Sequence, residues 1–585
     1  MAYKHGAYGE ITASRVTVAK QSDVVAAYIG TAPVHLIRSY SNKNLINMPI
    51  KVANMSDAQR MLGYSPNWGE YTLCEAFAEH FDNTVGNVGP IYVVNVFDPD
   101  VYKFDTPTTK VLSFTNNRAE FESTSIILDT FAIDNMVEGV DYTLEYNFAK
   151  SSVIVKLLKG LSITCTVTNP KGIANQNVAT WYGKFTSNGE TFYGIYAEND
   201  QNLYYLTDPT GTQNKHVWYE DGGGTGWDNE AYQTLAFNSE TDYGELMANL
   251  WTFVTREEGG IKCSYHETYA LNIKESDIVG QTTEDGQYTG LHALKLLYQN
   301  HNAVLNMLAA PGWSHIPSIY KAMVSMVQKL NGHWDGFVNA DIPLVDADGK
   351  AIDTIAKAIA WKEANGYNSE YSKVYWPKVK DGNGREFHLA TKGQATMLRV
   401  DLSHDGVPFE SPSNKEIMAT KQYFGAVSKN NGFDQHTGNS LNEKGITTAC
   451  FWGGQWVLWG PHTAAYSYNG NMDARAIFDV NIRMLMYITN SFQLDHGTAI
   501  DSPMTPQDKE AILNVERQKL DTLTGIGALI GTPSVEFLET ENPESDMMNG
   551  DFVWNFSVTN TPPFKSGTAR VCYTDEGFAA FFETE

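Results

Sequence analysis

The chain has 585 residues, 42% of them apolar, and carries 42 basic against 68 acidic residues for a formal charge of −26. That length exceeds what a single core organises, the apolar fraction excludes global disorder, and the acidic bulk field excludes wrapping nucleic acid or an anionic membrane. Five scattered cysteines without a C-x-x-C pair indicate neither a disulfide framework nor a zinc cluster.

The opening MAYKHGAYGEITASR lacks the apolar stretch of a signal peptide. No run approaches the roughly 20 apolar residues of a membrane span, so a soluble protein of a reducing cytoplasm is expected. Residues 1–23 are polar, with Ile11, Val16 and Val18 as scattered strand formers. VVAAYIGTAPV (24–34) reads as a buried strand, MSDAQRMLGY as a helix capped by Ser56 with Met61 and Leu62 inward, and YTLCEAFAEHF (71–81) as a second helix leading to the strand IYVVNVF (91–97). This is an α/β unit, taken as the first part of a core over 24–100.

Helical periodicity then nearly vanishes from 101 to 275. KVLSF, SIILDTFAI, DYTLEYNF, SVIVKLL and LSITCTVT are short strands between turn residues, which predicts one or more inserted β-rich domains with a candidate split near 176. Between Trp181 and Tyr232 lie 12 aromatics in 52 residues, about twice the chain average of 12%, so a glycan-binding or hydrolytic module is the alternative function to weigh.

Alternation returns after 276. LHALKLLYQN, SIYKAMVSMVQKL (318–330) and AIDTIAKAIAWKEA read as helices, and AVLNMLAA, GFVNADIPLV and SKVYWPKVK as strands. That order predicts a parallel sheet in a second core part spanning 276–566. Two long helices follow, 472–494 and 505–523, and the chain returns to strand patterning in SVEFLET and GDFVWNFSVTN.

The catalytic motifs fail on their own chemistry. Ser314 beside His315 lacks the flanking glycine of a nucleophile elbow, because Ile316 occupies that place, and reads as a turn with Ser314 capping and Pro317 in the first helical turn. GIGALIG (525–531) has Ile530 where a dinucleotide loop needs glycine, and follows a helix instead of a strand. VDADGK (345–350) puts Leu344 and Ile355 at the ends of a calcium loop and reads as a polar turn. DGNG (381–384) reads as a hairpin turn. No catalytic, cofactor or metal site is expected.

The ends are distinctive. GTARVCYTDEGFAAFFETE (567–585) places Val571 and Tyr573, then Phe578 and Phe582, on strand spacing around an Asp-Glu-Gly turn signal. An unpaired strand of this kind folds onto its own domain or completes a sheet in another copy. The helix over 505–523 carries Lys509, Glu510, Glu516, Arg517 and Lys519 among its inward apolar positions.

MAYKHGAYGE followed by IGTAPV, LGYSPNWGEYTLCEAF leading into VGPIYVVNVFDP, LAAPGWSHIP, VPFESPSNK (407–415) and VEGVDYTLEYN resemble, in order and spacing, contractile tail sheath proteins of tailed bacteriophages and related contractile injection particles. The resemblance covers 1 to about 170 and 290 to the end. It implies a discontinuous α/β core from both chain ends, inserted β-rich domains, and strand arms at 1–23 and 567–585 that pair with other subunits through Ile11, Val16, Val18, Val571, Tyr573, Phe578 and Phe582. It further implies a non-enzymatic virion component, assembled in the host cytoplasm as stacked hexameric rings around a tail tube, with baseplate and tail terminator proteins as partners, without direct nucleic-acid contact or membrane insertion. Lys509, Arg517 and Lys519 are the candidate tube-facing residues.

Overall fold

The computed structural model describes residues 24–114, 118–133, 136–158 and 261–582; between 159 and 260 it describes the backbone of strands alone. Ile11, Val16 and Val18 therefore lie outside the described residues, as do the side chains of the aromatic stretch from Trp181 to Tyr232.

Strand β1 (Val25–Gly30) is buried along its whole length, as an apolar run with no alternation requires. After β2 (Pro49–Val52), helix α1 (Met55–Leu62) begins at Asn54, whose side chain accepts from the Asp57 amide at 2.9 Å. The cap is thus Asn54, and Ser56 lies within the first turn: both are capping residues, and the tertiary entry of the chain selects the earlier one. Leu62 is buried and Met61 packs at the edge of the core. Helix α2 (Leu73–Phe81) is buried along nearly its whole length and leads to β3 (Ile91–Asn95).

The inserted region begins as two small antiparallel sheets. Strands β4 (Thr108–Leu112), β5 (Arg118–Glu122), β6 (Ala132–Ile133), β7 (Tyr142–Asn147) and β8 (Ser152–Leu157) precede seven further strands: β9 (Ile163–Val167), β10 (Gln176–Ser187), β11 (Glu190–Ala197), β12 (Asn202–Leu206), β13 (Val217–Asp221), β14 (Gly224–Trp227) and β15 (Phe237–Asn238). These seven form one antiparallel sheet in the order β14-β13-β12-β11-β10-β9-β15. Strand β16 (Ile261–Tyr265) then returns to pair with β4 and β6, while β5, β8 and β7 form the other three-stranded sheet. Phe121, Phe131, Tyr142, Val153 and Tyr265 share one apolar cluster between those two small sheets. The way in and the way out of the insertion lie side by side: Lys103 bridges Thr268, and the Tyr102 hydroxyl donates to Asp277 at 3.0 Å.

Strands β17 (Leu305–Ala309), β18 (Phe337–Asp341) and β19 (Ser372–Tyr375) rejoin the first part of the chain. Helix α3 (Pro317–Val327) with Pro317 at its start follows β17, and α4 (Ile355–Asn365) follows β18. Then come β20 (Lys378–Lys380), β21 (Glu386–Phe387), helix α5 (Leu389–Ser403), β22 (Lys421–Tyr423), β23 (Ile446–Trp452) and β24 (Gln455–Trp459). The central sheet has eight strands in the order β2-β3-β1-β17-β18-β19-β23-β24. Its inner six are parallel, and β2 and β24 close the edges antiparallel. The DGNG segment is the turn of the β20–β21 hairpin, and VDADGK is a polar turn in which the Asp346 carboxylate accepts from the amides of Asp348 and Lys350.

Helix α5 is the keel of this sheet. Gly393 lets it approach β19: a Cβ there would sit 2.4 Å from the Tyr375 ring. Gln394 of α5 donates to the Ala27 carbonyl at 2.8 Å and accepts from Asn339, which in turn accepts from the Tyr375 hydroxyl. Buried charge is also concentrated here. Lys392 of α5 meets Glu79 of α2, Asp401 of α5 meets Arg483, and Lys373 of β19 meets Asp479 at 2.6 Å with both side chains fully buried. Burial works against both charges of the first pair, raising Glu79 and lowering Lys392, so their mutual contact is what makes either tolerable.

Asp479 and Arg483 belong to α6 (Asp479–His496), which starts seven residues later than the predicted 472 because Asp473 turns the chain with its own cap on the Arg475 amide. Helix α7 (Pro506–Gly525) and a two-stranded sheet, β25 (Ser534–Glu536) with β26 (Asn555–Ser557), complete a second cluster around Met484, Ile488, Leu513, Leu520 and Val535.

Two outcomes test this architecture. Replacing residues 105–266 with a short Gly-Ser linker leaves a soluble chain with the helical circular dichroism of the core, because Lys103 and Thr268 are already neighbours; an insoluble product without helical signal contradicts it. Lys392→Met strands the buried Glu79 and costs about 3–5 kcal/mol, whereas adding Glu79→Leu restores most of the lost melting temperature.

Candidate functional site

The residues that catalytic motifs would use are occupied in packing. Ser314 does not cap α3, which starts at Ile316 without a side-chain cap; its Oγ instead accepts from the Asp341 amide at 3.1 Å and lies 3.4 Å from the Asp341 carboxylate. The buried carboxylate end of β18 is a stronger attractor for a hydroxyl than the helix start. Burial pushes the neighbouring His315 down to about 4, and it makes no hydrogen bond with Ser314. GIGALIG is the descent from α7, with Gly527 at φ +81° and Ala528 and Leu529 buried. Among the described residues no cluster of His, Cys, Asp or Glu has the arrangement of a metal site, and no helix is long and apolar enough to cross a membrane.

The charged helix at 506–525 is built from a capping box. Thr505 Oγ1 accepts from the Asp508 amide, and Asp508 accepts from the Thr505 amide at 2.9 Å. Leu513, Leu520 and Leu523 of its apolar face pack with Met484 and Ile488 of α6, and Ile512 is also buried. Glu516 falls on that inward face and is buried. It accepts from His496 Nε2 and from Lys519 Nζ, both at 2.6 Å. Burial opposes the Glu516 charge, but these donors prevail and hold its carboxyl below the usual range. Lys519 also donates to Asp495 at 2.5 Å and is held above its ordinary value against burial by the two carboxylates. Of the three cations singled out on this helix, Lys519 is therefore a clamp between α6 and α7. Lys509 pairs with Glu510 at 2.9 Å and covers the Phe537 ring. Arg517 is exposed and donates to Asn514 at 3.4 Å. Sequence periodicity did not separate these fates, because the clamp needs Asp495 and His496 of the preceding helix.

The C-terminal segment stays with the body as far as Thr561, whose amide donates to the Ala528 carbonyl at 3.1 Å, and Asn560 donates to the Asn481 carbonyl. From 562 to 574 it makes no backbone hydrogen bond to the rest of the chain among the described residues. The strand spacing over 578–582 is not realised as a strand: Glu576–Phe581 is a short 3-10 helix that starts at Asp575. With no partner strand in reach, local i to i+3 bonding is what remains. Six large apolar side chains face water along this stretch: Phe564, Val571 (92% exposed), Tyr573, Phe578, Phe581 and Phe582 (86%). The start of the segment runs past Tyr466, whose ring Lys565 covers, and the β25–β26 sheet that precedes it in sequence has two strands.

The buried charges of the α/β body serve packing, while six large apolar side chains between Phe564 and Phe582 lie uncovered in the single chain. The chain has relatives among known proteins. The chain is 26% identical over 330 residues to the tail sheath protein of Burkholderia phage BcepMu, covering 54% of this chain and 65% of that protein, a little under two thirds of its length. It is 23% identical to the major tail sheath protein of Serratia phage KSP20 (52% and 72% covered) and 23% identical to the tail sheath protein of Escherichia phage P2 (56% and 78%). Among solved structures, it aligns with the sheath tail protein from Desulfitobacterium hafniense at TM-score 0.37 and 10% identity, covering 91% and 93%. It also aligns with the contracted helical sheath of the anti-feeding prophage at TM-score 0.36 and 16% identity, covering 50% and 76%. No protein-family profile matches the chain.

The helix clamp is directly testable. Lys519→Glu places a third carboxylate against Asp495 and Glu516 and lowers the melting temperature by several degrees, while Arg517→Glu on the same helix leaves it within about one degree, since an exposed group contributes ~0–1 kcal/mol. Differential scanning calorimetry of both variants reads the difference.

Proposed function

We propose that this chain is the subunit of a contractile tail sheath. It polymerises as stacked hexameric rings around a tail tube, held extended until a baseplate signal lets the rings re-pack and drive the tube through a cell envelope. The similarity to curated tail sheath proteins supports this reading, and the observation that carries it is the row of uncovered apolar residues from Phe564 to Phe582.

A two-stranded sheet is marginal in water, and three or more strands are needed for independent stability. In this reading the segment 567–585 of one copy, with Val571, Tyr573, Phe578 and Phe582, and the segment 1–23 of another, with Ile11, Val16 and Val18, add strands to β25–β26 of a neighbour. The 3-10 turn over 576–581 straightens on pairing. Such head-to-tail contacts do not close on a dimer and propagate into a helical lattice. The body of the subunit comprises 24–100 and 276–566, with 101–275 projecting from it, and contraction exchanges one packing of these bodies for another while the strand links persist. On α7, Lys509, Arg517 and Lys519 are the proposed tube-facing cations, of which Arg517 is exposed and Lys519 also braces the helix. The tail terminator and baseplate bind the two ends of the stack, and the assembled sheath resides in the virion after forming in the host cytoplasm.

Each large apolar side chain covered by a neighbour contributes roughly 1.5–3 kcal/mol, against ~1–2 kcal/mol of backbone entropy for each residue ordered. A single link is therefore weak, and the lattice needs many. The truncation Δ567–585 keeps the melting temperature of the full chain and abolishes tube-length polymers in sedimentation and negative-stain microscopy. A collapsed melting temperature, or polymers that still form, overturns the arm.

A further inference from the structure

The body carries an apolar surface of its own, and it adjoins the root of the C-terminal arm. Strands β23 and β24 form a hairpin whose tip turns on Gly453 and Gly454, at φ +62° and +89°. From residue 445 to residue 472 the sequence holds no Asp, Glu, Lys or Arg, in a chain that is 19% charged. Aromatic side chains occupy the outside instead. Trp452 at the tip is 45% exposed, and its ring centre lies 5.9 Å from that of Trp459 on the paired strand. Trp459 in turn lines a groove of about 470 Å³ together with Tyr466 and Tyr468, the latter 59% exposed.

These rings are held in place. Trp459 Nε1 donates to Asn439 of the helix Gln435–Asn442 at 2.9 Å, and Tyr466 stacks on the buried His462 with ring centres 3.5 Å apart. The outer edge of β24 is already paired: the Ile417 amide donates to the Trp456 carbonyl at 2.9 Å, and the Leu458 amide to the Lys415 carbonyl at 3.1 Å. That stretch of edge is closed to strand addition, so whatever covers this face does so with side chains. The far wall of the groove is Pro563–Ser566, where the C-terminal segment leaves the body, with Phe564 89% exposed. Glu443 and Lys565 bring one charge of each sign to the lining.

We propose that this face, with Trp452, Trp459, Tyr466, Tyr468 and Phe564, is a contact surface for the body of a second copy of this chain, separate from the strand exchange of the arms. It rests on the assembly reading above and adds a body-to-body contact to it. Two features select a second copy as the occupant. Copies that each carry a formal charge of −26 repel across most of their surfaces, and they meet at least cost where neither presents a net charge. The arm also leaves the body across this groove, so the copy that receives it approaches from this side. A single exposed ring needs no explanation, but a row of adjoining ones marks an interaction site.

Sedimentation and photo-crosslinking of the full chain test the contact. Trp452→Glu combined with Tyr468→Glu raises the concentration for half-maximal polymerisation about tenfold while the melting temperature holds, and Trp452→Phe polymerises as the unaltered chain does. With p-benzoylphenylalanine at position 452, irradiation under polymerising conditions gives a dimer band, and mass spectrometry finds the linked peptide in a second copy. A double variant that polymerises as readily as the unaltered chain, an irradiated chain that yields no dimer, or crosslinks from assembled particles that reach only a different protein each overturn the contact and leave the arm reading standing. An unaltered chain that stays monomeric at every concentration overturns the assembly reading and this contact with it.

Discussion

Everything in this subunit depends on one turn of α2 meeting one turn of α5. Glu75 and Glu79 stand four residues apart on α2, and their partners His388 and Lys392 stand four apart on α5, each contact joining residues 313 positions distant. Four-residue spacing puts each pair on one helix face, so the two contacts fix both the rotation and the axial register of one helix on the other. Hydrophobic packing alone specifies a helix pair loosely, since Leu and Ala slide past one another at small cost. Two buried charges that must each find an opposite cannot slide without stranding both. The junction closes the α/β sheet from chain segments that the inserted strands keep far apart in sequence.

Much of the sheet was legible because its strands are buried on both faces. VAAYIG, IYVVN, LNMLA and FVNAD read as short continuous apolar runs bounded by Gly or Pro, and each became a central strand. The amphipathic stripe Ile319, Met323, Val327 fixed α3, and the reading of a helix over 505–523 met α7 to within two residues. What escaped was everything decided by distant partners. The choice of Asn54 over Ser56 as a cap depends on how the chain leaves β2. The role of Ser314 depends on Asp341, which lies on the next strand. The fate of Lys519 depends on Asp495. The glutamates of α2 did leave a trace: Glu75 and Glu79 interrupt the apolar string LCEAFAEHF on its inward side, and a charge in that position announces a buried partner without saying where it is.

The tail makes the opposite point. Its spacing is that of a strand, yet Glu576–Phe581 coils as a 3-10 helix and Phe582 lies open to water. Strand formers need a neighbour to hydrogen-bond, and a sequence records the preference without recording whether the neighbour belongs to the same molecule. The resemblance to tail sheath proteins, also seen in the curated homologues, gives that preference its meaning.

The strand order also sets a timetable. Val25 of β1 pairs with Leu305 of β17, so one edge of the first strand waits for more than half of the polypeptide to be made. At translation rates of ~5–20 residues per second that interval is on the order of tens of seconds. During it the inserted strands, which pair among themselves within 101–275, have all emerged from the ribosome. The insertion is thus positioned to fold first and to hold the ends of the earlier and later segments together at Lys103 and Thr268. Bridged at Lys103 and Thr268, the part of the molecule that contributes least to the central sheet shortens the effective loop that the sheet has to close.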